Sequence, residues 1–130
     1  MKYMLLAYTN RDAWEAATRE WTETQRMPAE VQAACEFYAE LGKELVESGE
    51  FVAAEGLADP SHSKTVRRTG GVAVATDGPF AESKEVLVSY GIVDCASYQR
   101  AVEIAARITD ATGDSVELRP MMSPAGDLGV

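Results

Sequence analysis

Histidine, cysteine and basic side chains are scarce in this chain, and each shortage removes a class of function. The 130 residues hold one histidine, His62, and two cysteines, Cys35 and Cys95. No Cys-x-x-Cys spacing and no metal-spaced His/Cys/Asp set can be drawn from them, so neither a metal centre nor a redox motif is expected. Lysine and arginine number 12 against 21 acidic residues, a net charge of −9. Nucleic-acid binding needs a basic face, and the longest basic run here is the pair Arg67–Arg68. Nucleic acid and anionic membrane are therefore excluded as partners. No Gly-x-Gly-x-x-Gly or phosphate loop appears, so no nucleotide cofactor is expected, and none of any other kind is implied. Long apolar runs are missing too. The opening Met1–Tyr8 is too short to span a bilayer and lacks the small-residue cleavage site of a secretory signal, which points to the cytoplasm.

What is present reads as an ordinary globule, 46% hydrophobic and 25% charged. One domain is expected over residues 1–122, followed by a Pro- and Gly-containing tail over 123–130 that is frayed or draped. Residues 3–8 form an apolar strand. Trp14 and Trp21, about two helical turns apart, mark a helical stretch from Ala13 to Gln25. Pro28 ends it and is placed to open the next helix as its first residue. There Val31, Ala34, Cys35, Tyr38, Leu41, Leu45 and Val46 trace one apolar stripe, and Gly49 closes the helix. Strands follow at 51–57, at 64–68 and 72–76 around the turn Gly70-Gly71, and at 86–93. Ser97 caps a further helix that ends before Gly113, and 115–119 is the last strand. Both cysteines sit in apolar patterns and are expected to be buried free thiols.

Without the hairpin at Gly70 the order is β-α-β-β-α-β, an α+β fold of the ferredoxin-like kind with an inserted hairpin. Such a fold lays its helices on one face of an antiparallel sheet. Here the strands are apolar on both faces: Val86, Val88, Tyr90 and Ile92 alternate with Leu87, Ser89, Gly91 and Val93. The uncovered face would be an aggregation hazard, and a second copy of the same sheet is the simplest cover.

Three segments carry a resemblance. Met1-Lys2-Tyr3-Met4-Leu5-Leu6 opens the chain, Thr76-Asp77-Gly78-Pro79-Phe80-Ala81-Glu82-Ser83-Lys84-Glu85 follows Thr65-Val66-Arg67 in its centre, and Gly113-Asp114-Ser115-Val116-Glu117-Leu118-Arg119-Pro120 closes it. In these the chain resembles the DGPF proteins, a branch of the YCII-related family, over nearly its whole length. The resemblance implies a dimeric α+β barrel, a homodimer in which two ferredoxin-like sheets face each other, and no settled activity. Some members accompany extracytoplasmic-function sigma factors. A His–Asp pair is suspected as an active site in the wider group. Here Tyr38 falls near the place of the histidine and Asp110 near that of the carboxylate, so the pair is not carried over.

Asp77, at a strand end, is the candidate acid/base or polar anchor; its structural role would be to bond the amides of the turn it begins. Gly78 and Pro79 fix that turn, with Phe80 expected to anchor it in apolar surroundings. Arg67 and Arg68 point to opposite sides of their strand, and one of them is placed to clamp an anionic or polar ligand, against the plainer reading of an ion pair with Glu82 or Glu85. Tyr38, Tyr90 and Glu55 are candidate cavity-lining residues, with core packing the alternative for both tyrosines. His62 lies in a polar loop with Asp59, Ser61 and Ser63, but sequence neighbours rarely make a Ser/His/Asp geometry and the set is discounted. Two functions remain open: a cofactor-independent enzyme or small-molecule binder, and a non-catalytic dimeric module of regulation.

Overall fold

Alternation of side chains across paired strands, rather than composition, decides where the core of this protein lies. A computed structural model describes residues 1–80 and 83–124. The expected tail beyond 124 and the expected pairing with Glu82 fall outside the described residues. Six strands and three α-helices follow in the order β1 (Lys2–Asn10), α1 (Arg11–Thr24), α2 (Ala29–Ser48), β2 (Phe51–Gly56), β3 (Lys64–Thr69), β4 (Val72–Asp77), β5 (Glu85–Asp94), α3 (Tyr98–Thr112) and β6 (Ser115–Pro120). A 3-10 turn, Pro60–His62, precedes β3. Four strands pair antiparallel in the order β2-β5-β1-β6, while β3 and β4 form a separate two-stranded ribbon. This is the ferredoxin-like α+β arrangement with a hairpin inserted between its second and third sheet strands.

Local chemistry sets the helix boundaries. Asn10 caps α1 by accepting the Ala13 N–H at 3.1 Å, and Ser97 caps α3 by accepting that of Arg100 at 3.1 Å. Gly49 and Gly113 end α2 and α3 in the left-handed region, at φ 81° and 77°. Pro28 stands at the N-cap of α2, one step before the first helical position expected of it, because its extended ψ of 147° still belongs to the incoming chain.

The register puts Tyr3, Leu5 and Ala7 of β1 on the same face as Val93 of β5 and Val116 and Leu118 of β6. That face receives Leu41 and Leu45 of α2 and Ala101, Ile104 and Ile108 of α3, which with Cys95 complete the core. Met4, Leu6, Tyr8, Tyr90 and Ile92 point the other way and are half-buried. The α2 stripe is buried only toward its C-terminal end. Cys35 is exposed, against the expectation of a buried thiol, and Val46 is 62% exposed. Cys35 stands over small residues of the sheet, Ala54, Gly56, Ser89 and Gly91, where no large side chain rises to cover it.

One end of the sheet is pinned by charge. Both carboxylate oxygens of Glu50 accept from the Arg100 guanidinium, at 2.9 and 3.0 Å, and the Ser48 hydroxyl donates at 2.8 Å. This ties the α2–β2 turn to the start of α3. The Arg100 contact above all holds the Glu50 carboxyl down at about 2, against 4.5 for a free group. A carboxylate depressed in the fold contributes stability above its unfolded pKa and loses it as pH falls through the folded value. Glu50→Gln is expected to cost about 1–2 kcal/mol at neutral pH. Urea titrations should show its deficit against wild type shrinking from pH 4.5 down toward about 2.

Candidate functional site

Beneath α2 the helix-facing positions of the sheet are small: Ala54 and Gly56 on β2, Ser89 and Gly91 on β5, Ala7 on β1. Core-sized side chains at these places would reach α2. Their absence leaves a cavity of about 480 Å³ between α2 and the sheet, walled by Leu5, Leu41, Phe51, Ile104 and Val116 among others. Gly42, on the α2 side of the same wall, has open space within 4 Å of where a Cβ would stand.

Into this apolar space α2 brings Tyr38. Its hydroxyl oxygen is shut off from solvent and makes no hydrogen bond of full geometry. Burial raises the phenol above its ordinary value; the nearby Ser89 hydroxyl pulls the other way, and the charge of Asp114 adds to the rise. Tyr38 therefore stays protonated at neutral pH, a donor with its hydrogen bond unspent. Asp114 stands beside the cavity rather than in its wall. The chain reaches it through the left-handed Gly113, and its N–H donates to the Thr112 hydroxyl at 3.1 Å. Burial raises its carboxyl, opposed by a hydrogen bond from the Thr9 side chain.

The other sequence candidates lie elsewhere. Asp77 ends β4 with its carboxylate 89% exposed and paired to Lys64 Nζ at 2.7 Å. Arg67 is exposed on β3, donating from Nη2 to the Phe80 carbonyl at 2.9 Å with its guanidinium 4.5 Å from the ring centroid. Phe80 is 73% exposed, which corrects the expectation of an apolar anchor: its ring is held by a cation on one face rather than by a hydrophobic pocket. Gly78 takes the positive φ, 97°, that the turn requires. Tyr90 and Glu55 are the exceptions: paired with each other across β2 and β5, with Leu6 on Tyr90's other side, both line the cavity under α2. Asp110 is exposed on α3, and the carboxylate felt at Tyr38 is Asp114 instead. His62 is exposed, while Asp59 is engaged by the Ser61 N–H at 2.9 Å and by the Trp14 indole N–H at 3.0 Å. So Tyr38, Tyr90 and Glu55 line the cavity, Arg67 and Phe80 do not, and Ser89 and Asp114 join the site unannounced.

Among the described residues no three His, Cys, Asp or Glu converge as a metal site, and no helix is long and apolar enough to cross a membrane. The family model of the YCII-related domain matches residues 1–123. The chain is also similar to "Uncharacterized protein R00369" of Rhizobium meliloti (strain 1021), with 32% identity over 124 residues that cover 93% of this chain and 92% of that protein.

A half-buried carboxyl whose folded pKa is raised loses stability as pH climbs through its unfolded value of 3.8, and the deficit is complete above the folded value. Asp114→Asn, which keeps an oxygen to accept from Thr9, is therefore expected to melt a few degrees higher than wild type at pH 7. In calorimetry the advantage should vanish below about pH 3.8.

Proposed function

The chain belongs to the YCII-related family, and from that premise we propose that it is a dimeric, cofactor-independent small-molecule-binding protein. The observation that carries this reading is the unspent Tyr38 hydroxyl in the apolar cavity under α2. A volume of about 480 Å³ lies within the range of sites for small organic molecules. Its walls reward apolar surface, and the buried Tyr38 donor rewards a single acceptor oxygen. Asp114 beside it repels a negative group. The ligand class is thus a small, uncharged, mainly apolar molecule bearing a carbonyl, ether or hydroxyl oxygen. The anionic ligand that Arg67 suggests finds no cation among the described residues that wall this cavity. The acids of the site are Glu55 in its wall and Asp114 beside it, and Asp77 serves the base of the hairpin.

Dimerisation follows from the second face of the sheet. Met4, Leu6, Tyr8, Tyr90 and Ile92 make a continuous apolar surface there, and two such surfaces opposed across a two-fold axis cover each other.

Thermal melting against a panel of uncharged mono- and bicyclic compounds tests the binding reading. Wild type should gain stability with at least one of them, and an anionic analogue of the same shape should give less. Tyr38→Phe should weaken the best compound by about 3- to 10-fold, the value of one hydrogen bond. Gly42→Leu fills the cavity from the helix side and should abolish the shift while leaving the fold intact. Asp77→Ala should leave binding unchanged. A ligand whose effect survives Gly42→Leu, or depends on Asp77, would sink the assignment.

A further inference from the structure

The hairpin β3–β4 is ordered beyond what its own surroundings account for. Its register runs unbroken from Lys64↔Asp77 to Thr69↔Val72, and Gly70 and Gly71 supply the positive φ values, 59° and 84°, that a two-residue turn demands. Yet of all its strand residues only Thr65 is less than exposed. Val66, Val72 and Val74 are 64%, 61% and 40% exposed. A two-stranded hairpin is marginally stable at best in water, and among the described residues this one pairs with no strand of the four-stranded sheet. Its base is where it is tied, by Gly78 N–H to the Ser63 carbonyl at 2.8 Å, Thr65 Oγ1 to the Gly78 carbonyl at 2.9 Å, and the contacts of Lys64 and Arg67.

Its charge is also out of keeping with the rest. Lys64, Arg67 and Arg68 against Asp77 leave the hairpin at +2, so the remainder of a chain of net −9 carries −11. Alternation sets Arg67, Thr69, Val72 and Val74 on one side, and Val66, Arg68, Ala73 and Ala75 on the other. Each side joins an arginine to valine. The sheet of the body offers the complement. Its register places Glu55, Tyr90, Leu6 and Glu117 in one row across β2, β5, β1 and β6. The row is apolar in the middle with a glutamate at each edge: Glu55 on β2 pairs with no cation among the described residues, and Glu117 on β6 is shared with Arg119 at 3.3 Å.

We propose that β3–β4 is a clasp that docks on a second copy of this chain, laying its valines and arginines along the acidic margin of that copy's sheet. The clasp rests on the dimer reading above and extends it. Opposed sheets cover the apolar centre, and exchanged hairpins cover the rim. The exchange is closed by the same two-fold axis, so each copy gives and receives one hairpin. Because the contact joins +2 to an acidic rim, it is screened by salt.

Analytical ultracentrifugation of the full chain, with circular dichroism to confirm the fold, separates the possibilities. Arg67→Glu with Arg68→Glu changes only exposed side chains, and is expected to raise the dimer Kd by about 10- to 100-fold at low salt and by far less at about 0.5 M. Mixing that variant with Glu55→Lys/Glu117→Lys should restore a tight heterodimer. Hydrogen exchange of amides in 64–77 should slow as concentration drives dimer formation. A wild-type dimer indifferent to the arginine reversal, with hairpin amides exchanging equally fast in monomer and dimer, overturns the clasp and spares the dimer. Loss of association in Leu6→Glu alone, with the arginine variant unaffected, likewise removes the clasp and keeps the opposed sheets. A wild-type chain that stays monomeric at every concentration overturns both.

Discussion

The structure depends on a four-stranded sheet whose two faces are both apolar while the core lies on only one of them. On the helix side, alternate residues of β1, β5 and β6 meet α2 and α3, and Ala101 and Ile104 lose all contact with solvent. Complete burial of a side chain such as Ile104 contributes roughly 1.5–3 kcal/mol. A strand cannot choose the residues of its second face independently of its pairing, because a shift of one residue turns every side chain over. The second face, with Met4, Leu6 and Ile92, is therefore as strictly defined as the first, and its half-burial leaves apolar area that a lone monomer in water has no use for.

The same constraint makes the cavity. Close packing of α2 would need large residues opposite it, but β2 and β5 present Ala54, Gly56, Ser89 and Gly91 there. Interiors are normally packed without such voids, and an apolar void costs stability in proportion to its volume. A fold that keeps one under a helix, and then points a buried phenol into it without a partner, gives up stability locally. Raised pKa values at Tyr38 and Asp114 are the same concession seen electrostatically: burial is the first cause of both. Cost concentrated at one place is the usual mark of a site that something else completes.

Much of the fold is legible in the sequence because its signals are local. Periodicity locates the strands and helices, Ser97, Gly49 and Gly113 bound two helices, and Gly70-Gly71 marks the hairpin. The site is not legible in the same way. Tyr38 belongs to an apolar stripe, and nothing within the stripe distinguishes a residue pressed on large neighbours from one held over small ones. Asp114 and Ser89 are separated from Tyr38 by long stretches of chain, and only the folded sheet brings β5 and the turn before β6 close to it. Cys35 departs from expectation for a related reason: a stripe states which face turns inward, not whether large or small residues lie opposite it. Asp77 has the pattern of an acid at a strand end, but it ends a strand of the hairpin rather than of the sheet, and Lys64 opposite it satisfies the carboxylate in solvent.

The two ends of the sheet divide the work. At the end bearing Tyr3, the Glu50–Arg100 pair and the bond from the N-terminal ammonium to Asp94, at 3.0 Å, lock turns to one another with charges whose partners are all in place. At the end bearing Thr9, the groups nearest the cavity include a threonine, a carboxyl raised by burial, a serine, and a phenol with no hydrogen-bond partner. Charge fully matched favours rigidity, whereas polar groups left short of partners favour an incoming molecule. The hairpin leaves the body between β2 and β5, on the side of this second end, through the turn at Ser63 and Gly78. A partner that held the hairpin would therefore bear on the same end of the sheet as the cavity, and Tyr90 and Glu55, which line the cavity, also stand in the row that the hairpin would meet.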